Sequence, residues 1–460
     1  MPKIKTPFFI LAIIVTVFIL VSPPPEGLSQ EGQAAIAVFA MCFILWTTGA
    51  LPLSVTSLLA IALLPLFGAL EARTAFSLFG NSAVFFILGA FMLAAAMMSS
   101  GLSVRVSLLF LRRFEGSPKM LISGILLSCA FMAMWMPAHA VAALMFPIVL
   151  EIALALDLEP RFSNYGKALF LSMAWGCVIG GVLTLLGGAR NPLAIALLGE
   201  KYGLTIGFTR WILAVFPISA VLLVVVHLLV FKVFAPEIDN VRPARELIER
   251  KVRDLGPMSG REKKVLVVML STILAWIFLG EKMGLAPIAI LGSSTLFVVG
   301  AMSWNDVEKY VNWGVILMYG GAIALAAALE LTGAAKWMVT SLLGALPLDP
   351  FTLIAFVAVV SMILTEAMSN AAVVALVLPI AFELGDTVPG TSPLVMVFAV
   401  ALPAGLAFSL PIGTPPNAIA YSARYHRLRD SVRVGVIMNL TALTTFLVIA
   451  KYYWKWIGVY

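Results

Sequence analysis

The sequence predicts an all-α polytopic membrane protein arranged as an inverted repeat. Three observations lead there. Of 460 residues, 62% are hydrophobic and only 12% are charged, about half the charged share of an ordinary soluble domain, and mean hydropathy is +1.05. A water-soluble globule has too few interior places to hide that much apolar surface. The apolar residues also come in long unbroken runs, unlike the short alternating segments of a membrane β-barrel. Finally, blocks of sequence from the first half recur in the same order in the second. The composition excludes collagenous, disordered and disulfide-scaffold classes.

Along the chain, Lys3 and Lys5 precede an apolar run from Phe8 to Val21. Ser22-Pro23-Pro24-Pro25-Glu26 follows, which is no small-x-small cleavage site, so the run is expected to stay as a first span. Further spans are expected near 34–50, 53–69 and 78–111, the last long enough to begin as an interfacial helix. An apolar stretch at 119–156 is interrupted by Trp135-Met136-Pro137, one at 167–198 by Gly187-Gly188, and a plain span follows at 207–234. The polar segment 237–264 carries the mixed-sign helix Glu246 to Arg253 and reads as a solvated connector. After it come 264–280, 285–303, 312–345, a broken stretch 350–384, an interrupted span 392–424 and a last span 432–457.

The arms of 119–156 and 350–384 are about 15 residues each, too short to cross a bilayer. Read as re-entrant hairpins, they leave about eleven transmembrane helices and sort the loop charges. Lys3, Lys5, Arg112, Arg113, Lys119, Arg161, Lys167, the cations of 237–264, Arg424, Arg427 and Arg429 fall on one side. Arg73, Lys201 and Lys282 fall on the other. By the positive-inside rule the first side is cytoplasmic, with the N-terminus in the cytoplasm of an inner or plasma membrane protein. The net charge of +7 then belongs to inside loops, and no soluble domain presents a basic face to nucleic acid. Cys42, Cys129 and Cys177 lie in apolar runs without metal spacing and read as small buried thiols.

The repeat divides the chain. Phe86-Ile87-Leu88-Gly89-Ala90 matches Leu317-Met318-Tyr319-Gly320-Gly321 at an offset of 231. Pro137 to Val141, leading to Pro147, matches Ser369 to Val373, leading to Pro379, at 232. Gly187 to Asn191 matches Gly413 to Asn417 at 226. The expected organisation is N-terminal helices 1–70, a first repeat 71–236 with hairpin 119–156, a connector 237–264, and a second repeat 265–460 with hairpin 350–384. Opposed repeats with broken helices are the architecture of many secondary transporters. Interrupted backbone is tolerated at membrane depth only where it is buried in protein or lines a wet cavity.

Thr365-Glu366-Ala367-Met368-Ser369-Asn370-Ala371, Leu410 to Asn417 and Met134 to Ala140 carry a specific resemblance over about residues 30–457. The chain resembles the divalent anion/sodium symporter family of dicarboxylate and sulfate transporters. The first two segments resemble its second hairpin-tip Ser-Asn-Thr motif and its Gly-Thr-Pro-Pro-Asn break. The third stands where the first tip would carry its own Ser-Asn-Thr. The resemblance implies a homodimeric secondary active transporter working by elevator-type alternating access, with the bilayer and a small anion as partners. A C4-dicarboxylate is the first expectation and sulfate the second. It implies no cofactor other than Na⁺ as coupling ion, held by Thr365, Ser369, Asn370 and the Gly413 carbonyl. The anion would meet Ser369, Asn370, Ala371, Thr414, Pro415 and Asn417 in the second half, and His139, Arg190 and Asn191 in the first.

The departures from the family pattern carry the sharper expectation. Ala371 replaces a threonine, and Pro137, Ala138 and His139 replace the first tip's sodium ligands. The facing break lacks both prolines and gains Arg190. Its guanidinium is expected to take the place of the first sodium ion and pair with the anion. The alternative is that Arg190 pairs with Glu366 or with helix-end carbonyls. His139 either donates to the anion or bonds the nearby break, and its titration could link transport to pH. His227 is expected to pack, His426 to be solvated in an inside loop, Asn81 and Asn312 to cap helices, and Glu330 and Glu366 to be structural partners. A membrane enzyme is disfavoured because no hydrolase or metalloprotease motif appears. The remaining alternatives are a Na⁺-independent or proton-linked anion exchanger, an arsenite- or citrate-type carrier of the same superfamily, and a channel.

Overall fold

The computed structural model describes residues 6–343 and 349–459, with the side chains of 342 and 343 set aside. Lys3 and Lys5 lie outside the described residues. All regular structure within them is helical. The chain opens with α1 (Thr6–Val21), α2 (Gln30–Thr48) and α3 (Leu53–Leu66). The short α4 (Ala72–Ser77) leads to α5 (Ser82–Ser99) and α6 (Leu102–Leu111). Then follow α7 (Pro118–Ala133), α8 (Ala138–Ala155), α9 (Asn164–Leu183), α10 (Arg190–Tyr202), α11 (Phe208–Val233) and the connector helix α12 (Arg242–Asp254). The second half runs α13 (Gly260–Met283), α14 (Leu285–Val298), α15 (Trp304–Tyr310), α16 (Trp313–Leu331) and α17 (Ala334–Leu343). It closes with α18 (Pro350–Thr365), α19 (Asn370–Thr387), α20 (Pro393–Ala401), α21 (Pro415–Ser422) and α22 (Leu428–Val448), the last extended by a π turn at Ile449–Tyr453. Among the described residues, nine helices are long and apolar enough to cross a membrane, and six shorter apolar ones accompany them.

The run 78–111 is cut near its end, at Gly101, between α5 and α6. The second-half run is cut at Gly333, between α16 and α17. Both glycines have positive φ, +84° and +70°, a conformation in which a Cβ would be strained. They stand 232 residues apart.

The two halves are built alike in detail. Gly89 on α5 packs on Ala289 of α14, and Gly321 on α16 packs on Ser57 of α3, so each half lends a helix to the other. The α7–α8 pair turns at Pro137 and the α18–α19 pair at Ser369, again 232 apart. Their bases lie at opposite ends of the bundle. Lys251 of the connector helix α12 pairs with Glu151 near the foot of α8 at 2.7 Å, which puts the first base at the connector end. Beside the second base, Ser392 donates to the Val459 carbonyl, while Arg210 of α11 donates to Gly458. Glycines set how closely α9 approaches the first pair. A Cβ on Gly176 would fall 2.4 Å from the Leu126 carbonyl oxygen, and one on Gly180 would fall 2.1 Å from that of Ala130. Larger residues there would push α9 off α7.

Polar residues fasten the ends. Arg105 of α6 is buried and makes an ion pair with Glu262 at 2.6 Å. It also donates to the carbonyls of Leu255, Gly256 and Pro257. This pins the far end of the connector to the first half. At the opposite end Lys201 pairs with Glu383 and, at 2.9 Å, with Asp386, which ties α10 to α19. His426 departs from expectation. It is only 4% exposed, packed against Tyr421, and burial pushes its pKa down to about 4. The loop 423–427 folds back under α9, where Phe170 stacks on Tyr425, and this is what covers it.

Candidate functional site

A cavity of about 780 Å³ lies where the two halves meet. Two broken helices and two helix-pair tips end on it. Pro137, Ala138 and His139 come from the first tip and Gly187 to Arg190 from the first break. Ser369 to Ala371 come from the second tip, and Gly413 to Pro416 from the second break. Four helix N-termini, those of α8, α10, α19 and α21, therefore converge on one space. Each brings the positive end of its dipole and amides without helical partners. Among the described residues, Arg190 is the one cation that lines the cavity, and no carboxylate lines it.

Sequence chemistry explains why the helices break there. The first break runs from Thr184 to Ala189 and the second from Leu406 to Thr414. Each is clamped by one asparagine. Asn191 Nδ2 donates to the carbonyls of Gly181 and Thr184 at 3.2 and 2.7 Å. Asn417 Nδ2 donates to Ala407 and Leu410 at 3.0 and 3.4 Å. The spacing to the accepting carbonyls, ten and seven residues back, is the same in both halves. Freed carbonyls thus find donors, as buried backbone must. Asn191 and Asn417 stand behind the cavity wall, not in it. The expectation that they touch the anion gives way to a role as clamps, because their amide donors are already engaged by the breaks.

The tips are tied to their own breaks by different means. In the first half, Ala138 N–H donates to the Gly187 carbonyl at 3.0 Å and Thr184 Oγ1 donates to that of Met134. In the second half Glu366 does the work. Its carboxylate accepts the N–H groups of Phe408, Ser409 and Leu410 at 3.2, 2.9 and 2.8 Å, and Asn439 Nδ2 at 2.6 Å. Glu366 is the structural partner expected, though of backbone amides and Asn439 and not of Arg190.

Of the remaining expected site residues, His139, Arg190, Ser369, Asn370, Ala371, Gly413, Thr414 and Pro415 all line the cavity. Thr365 sits just behind Asn370. Its Oγ1 lies 3.0 Å from Asn370 Oδ1 and 2.6 Å from the Ala404 carbonyl oxygen. Here the Thr365 hydroxyl hydrogen-bonds the other two oxygens; all three are neutral oxygens, the ligand type that a small hard cation takes. Ala404, just beyond α20, offers a carbonyl oxygen that sequence reading missed, since a backbone carbonyl leaves no side-chain signature. Ser369 caps α19 without spending its hydroxyl on a helix amide, while Thr414 accepts Asn417 N–H.

Arg190 is almost fully buried, and its Nε and Nη2 have no partner among the described residues. Its guanidinium fits between two glycines: a Cβ on Gly188 would fall 2.4 Å from Nη1, and one on Gly405 would fall 2.2 Å from Nε. Tyr319 of α16 donates its hydroxyl to the Ala189 carbonyl next door. The far wall comes from Trp46, Thr47, Thr48, Asn312, Val315 and Met318. Asn312 caps α16 as expected and also borders the cavity. The others show no polar motif in the sequence.

The chain matches the family described as the sodium:sulfate symporter transmembrane region over residues 4–460. It belongs to that family. A relative from Staphylococcus saprophyticus, the sodium-dependent dicarboxylate transporter SdcS, is 29% identical over 96% of this chain and 90% of its own length. The Staphylococcus aureus protein of the same name is 31% identical over 93% and 87%. Among solved structures, the chain is similar to Neisseria gonorrhoeae MtrF, of a class of antimetabolite efflux pumps, with TM-score 0.56 and 11% identity over 98% of this chain and 94% of that one. It is also similar to the Alcanivorax borkumensis YdaH transporter, with TM-score 0.52 and 14% identity over 98% of each. Those two likenesses concern the fold alone. As a sodium:sulfate symporter family member the protein is a membrane transporter and not an enzyme.

Proposed function

We propose that the protein is a Na⁺-coupled secondary transporter of a small divalent anion, a C4-dicarboxylate before sulfate, with Arg190 in place of one of two sodium ions. The observation that carries this is the convergence of four helix N-termini and one arginine on a cavity with no carboxylate among its described residues. Such a space favours an anion and disfavours a cation as cargo. The oxygens of Thr365, Asn370 and Ala404 form the retained sodium site, completed by Ser369 and Gly413. The first half offers Pro137, Ala138 and His139 instead, none suited to sodium. Burying the Arg190 charge costs at least about 2.5–3.5 kcal/mol. An anion about 4 Å away at an effective dielectric near 20 returns on the order of 4 kcal/mol. Anion binding and the buried cation therefore support each other. The names of the staphylococcal relatives favour the dicarboxylate.

Transport proceeds by alternating access of elevator type. Helices α7–α11 and α18–α22 form the carrier module with two re-entrant hairpins, and α1–α6 and α13–α17 form the scaffold. Smooth facing surfaces support this division: Ala94-Ala95-Ala96 of α5 and Ala326-Ala327-Ala328 of α16 sit at the same repeat positions and are buried. Of the lining residues on the scaffold, Gly49 and Asn312 are exposed, and we take them to mark the mouth. Asn312 follows Asp306, which Arg261 joins to the connector end, so the carrier stands open on the face that charge marks as cytoplasmic. The exposed apolar face of α13 and α14 supplies surface for a homodimer. A thermal-shift screen tests the proposal. Succinate should stabilise purified protein in Na⁺ and much less in choline, and sulfate less than succinate. Equal stabilisation without Na⁺ would favour an exchanger, and no anion response would reject the reading.

A further inference from the structure

We propose that Tyr319 is a one-sided hook that biases the carrier toward the state described here, with the cavity open on the connector face. The inference rests on the alternating-access reading and adds a positioning residue to it. Tyr319 is fully buried on α16, on the scaffold side, and its hydroxyl donates to the Ala189 carbonyl. Ala189 caps α10 and precedes Arg190. The hydrogen bond therefore crosses the surface on which the module would slide, and it ends at the first break.

Pseudo-symmetry says what the opposite state would offer in its place. Gly89 and Gly321 hold equivalent positions, packed on Ala289 and Ser57 respectively. That register places Ile87 where Tyr319 stands, and the register of the helix caps Asn81 and Asn312 places Leu88 there. Matching Asn191 with Asn417 makes Pro415 the counterpart of Ala189. When the two halves exchange shapes, Ile87 or Leu88 would face the second break. Neither side chain can donate to a carbonyl, so the hook exists in one state only. One neutral buried hydrogen bond corresponds to about a fivefold bias in a two-state equilibrium.

The test uses the full chain in oriented membrane vesicles. Ala418→Cys supplies a reporter, because Ala418 is exposed at the cavity mouth and holds neither ion nor anion. The native cysteines are buried and give little background. A membrane-impermeant maleimide applied from the connector face should label the reporter more slowly in Tyr319→Phe, by up to about fivefold. Tyr319→Met, a second variant without the hydroxyl, should behave alike. Unchanged labelling in both variants, while Na⁺ with succinate still alters labelling of the parent, overturns the hook. A reporter that labels equally from both faces and ignores Na⁺ and succinate overturns the alternating-access reading instead.

Discussion

Arg190→Ala should lose succinate binding by about 100-fold or more, as removal of a full charge from a low-dielectric site implies, without losing stability. The second half of that expectation separates a binding role from a structural one. A buried arginine that held the fold would leave its partners unpaired when removed, at about 3–5 kcal/mol. Here Nε and Nη2 have no protein partner among the described residues, so the ligand-free variant is relieved of a buried charge and should unfold at the same temperature or higher. Arg190→Lys should recover only part of the affinity, since a point charge on a shorter stem does not reproduce the guanidinium fork. Calorimetry with succinate and thermal unfolding without it check the two arms. Normal binding by Arg190→Ala would end the proposal that this charge stands in for sodium, and a large loss of stability would give Arg190 a structural role.

The second large effect is expected at Glu366, and it has the opposite signature. Its carboxylate gathers three consecutive backbone N–H groups and Asn439 onto the second break. Glu366→Ala leaves those donors buried without an acceptor, at about 1–3 kcal/mol each. The variant should fail to accumulate in the membrane or unfold far below the parent. Glu366→Gln keeps the shape and one acceptor oxygen, so it should fold. It should also need more Na⁺, because the carboxylate is the nearest fixed negative charge to Gly413, whose added Cβ would fall 2.9 Å from Oε2. A Glu366→Ala protein as stable as the parent would mean that the break is held by something else.

The fold class was legible because apolar run length and broken motifs are direct statements about backbone in lipid. Pro137 and Ser369 stand at the two turns, and Gly187-Gly188 and Gly413 lie in the two breaks, where sequence put them. Less legible was how the breaks are held. Asn191 and Asn417 looked like ligands because they sit in the motif, yet amide donors at helix ends serve stranded carbonyls first. The Ala404 carbonyl and the wall of Trp46, Val315 and Met318 were invisible, since backbone oxygens and apolar packing leave no spacing to read. His426 was misread because a polar loop sequence does not reveal that the loop folds back under α9. The contact between Tyr319 and Ala189 joins residues 130 apart and could only come from three dimensions.

The central claim is that one sodium site remains and an arginine has replaced the other. Reversal potentials for succinate in proteoliposomes, measured at several Na⁺ gradients, count the coupled ions directly. The account predicts one Na⁺ moving with each dicarboxylate. Two or more would contradict the replacement, and none would contradict the retained site.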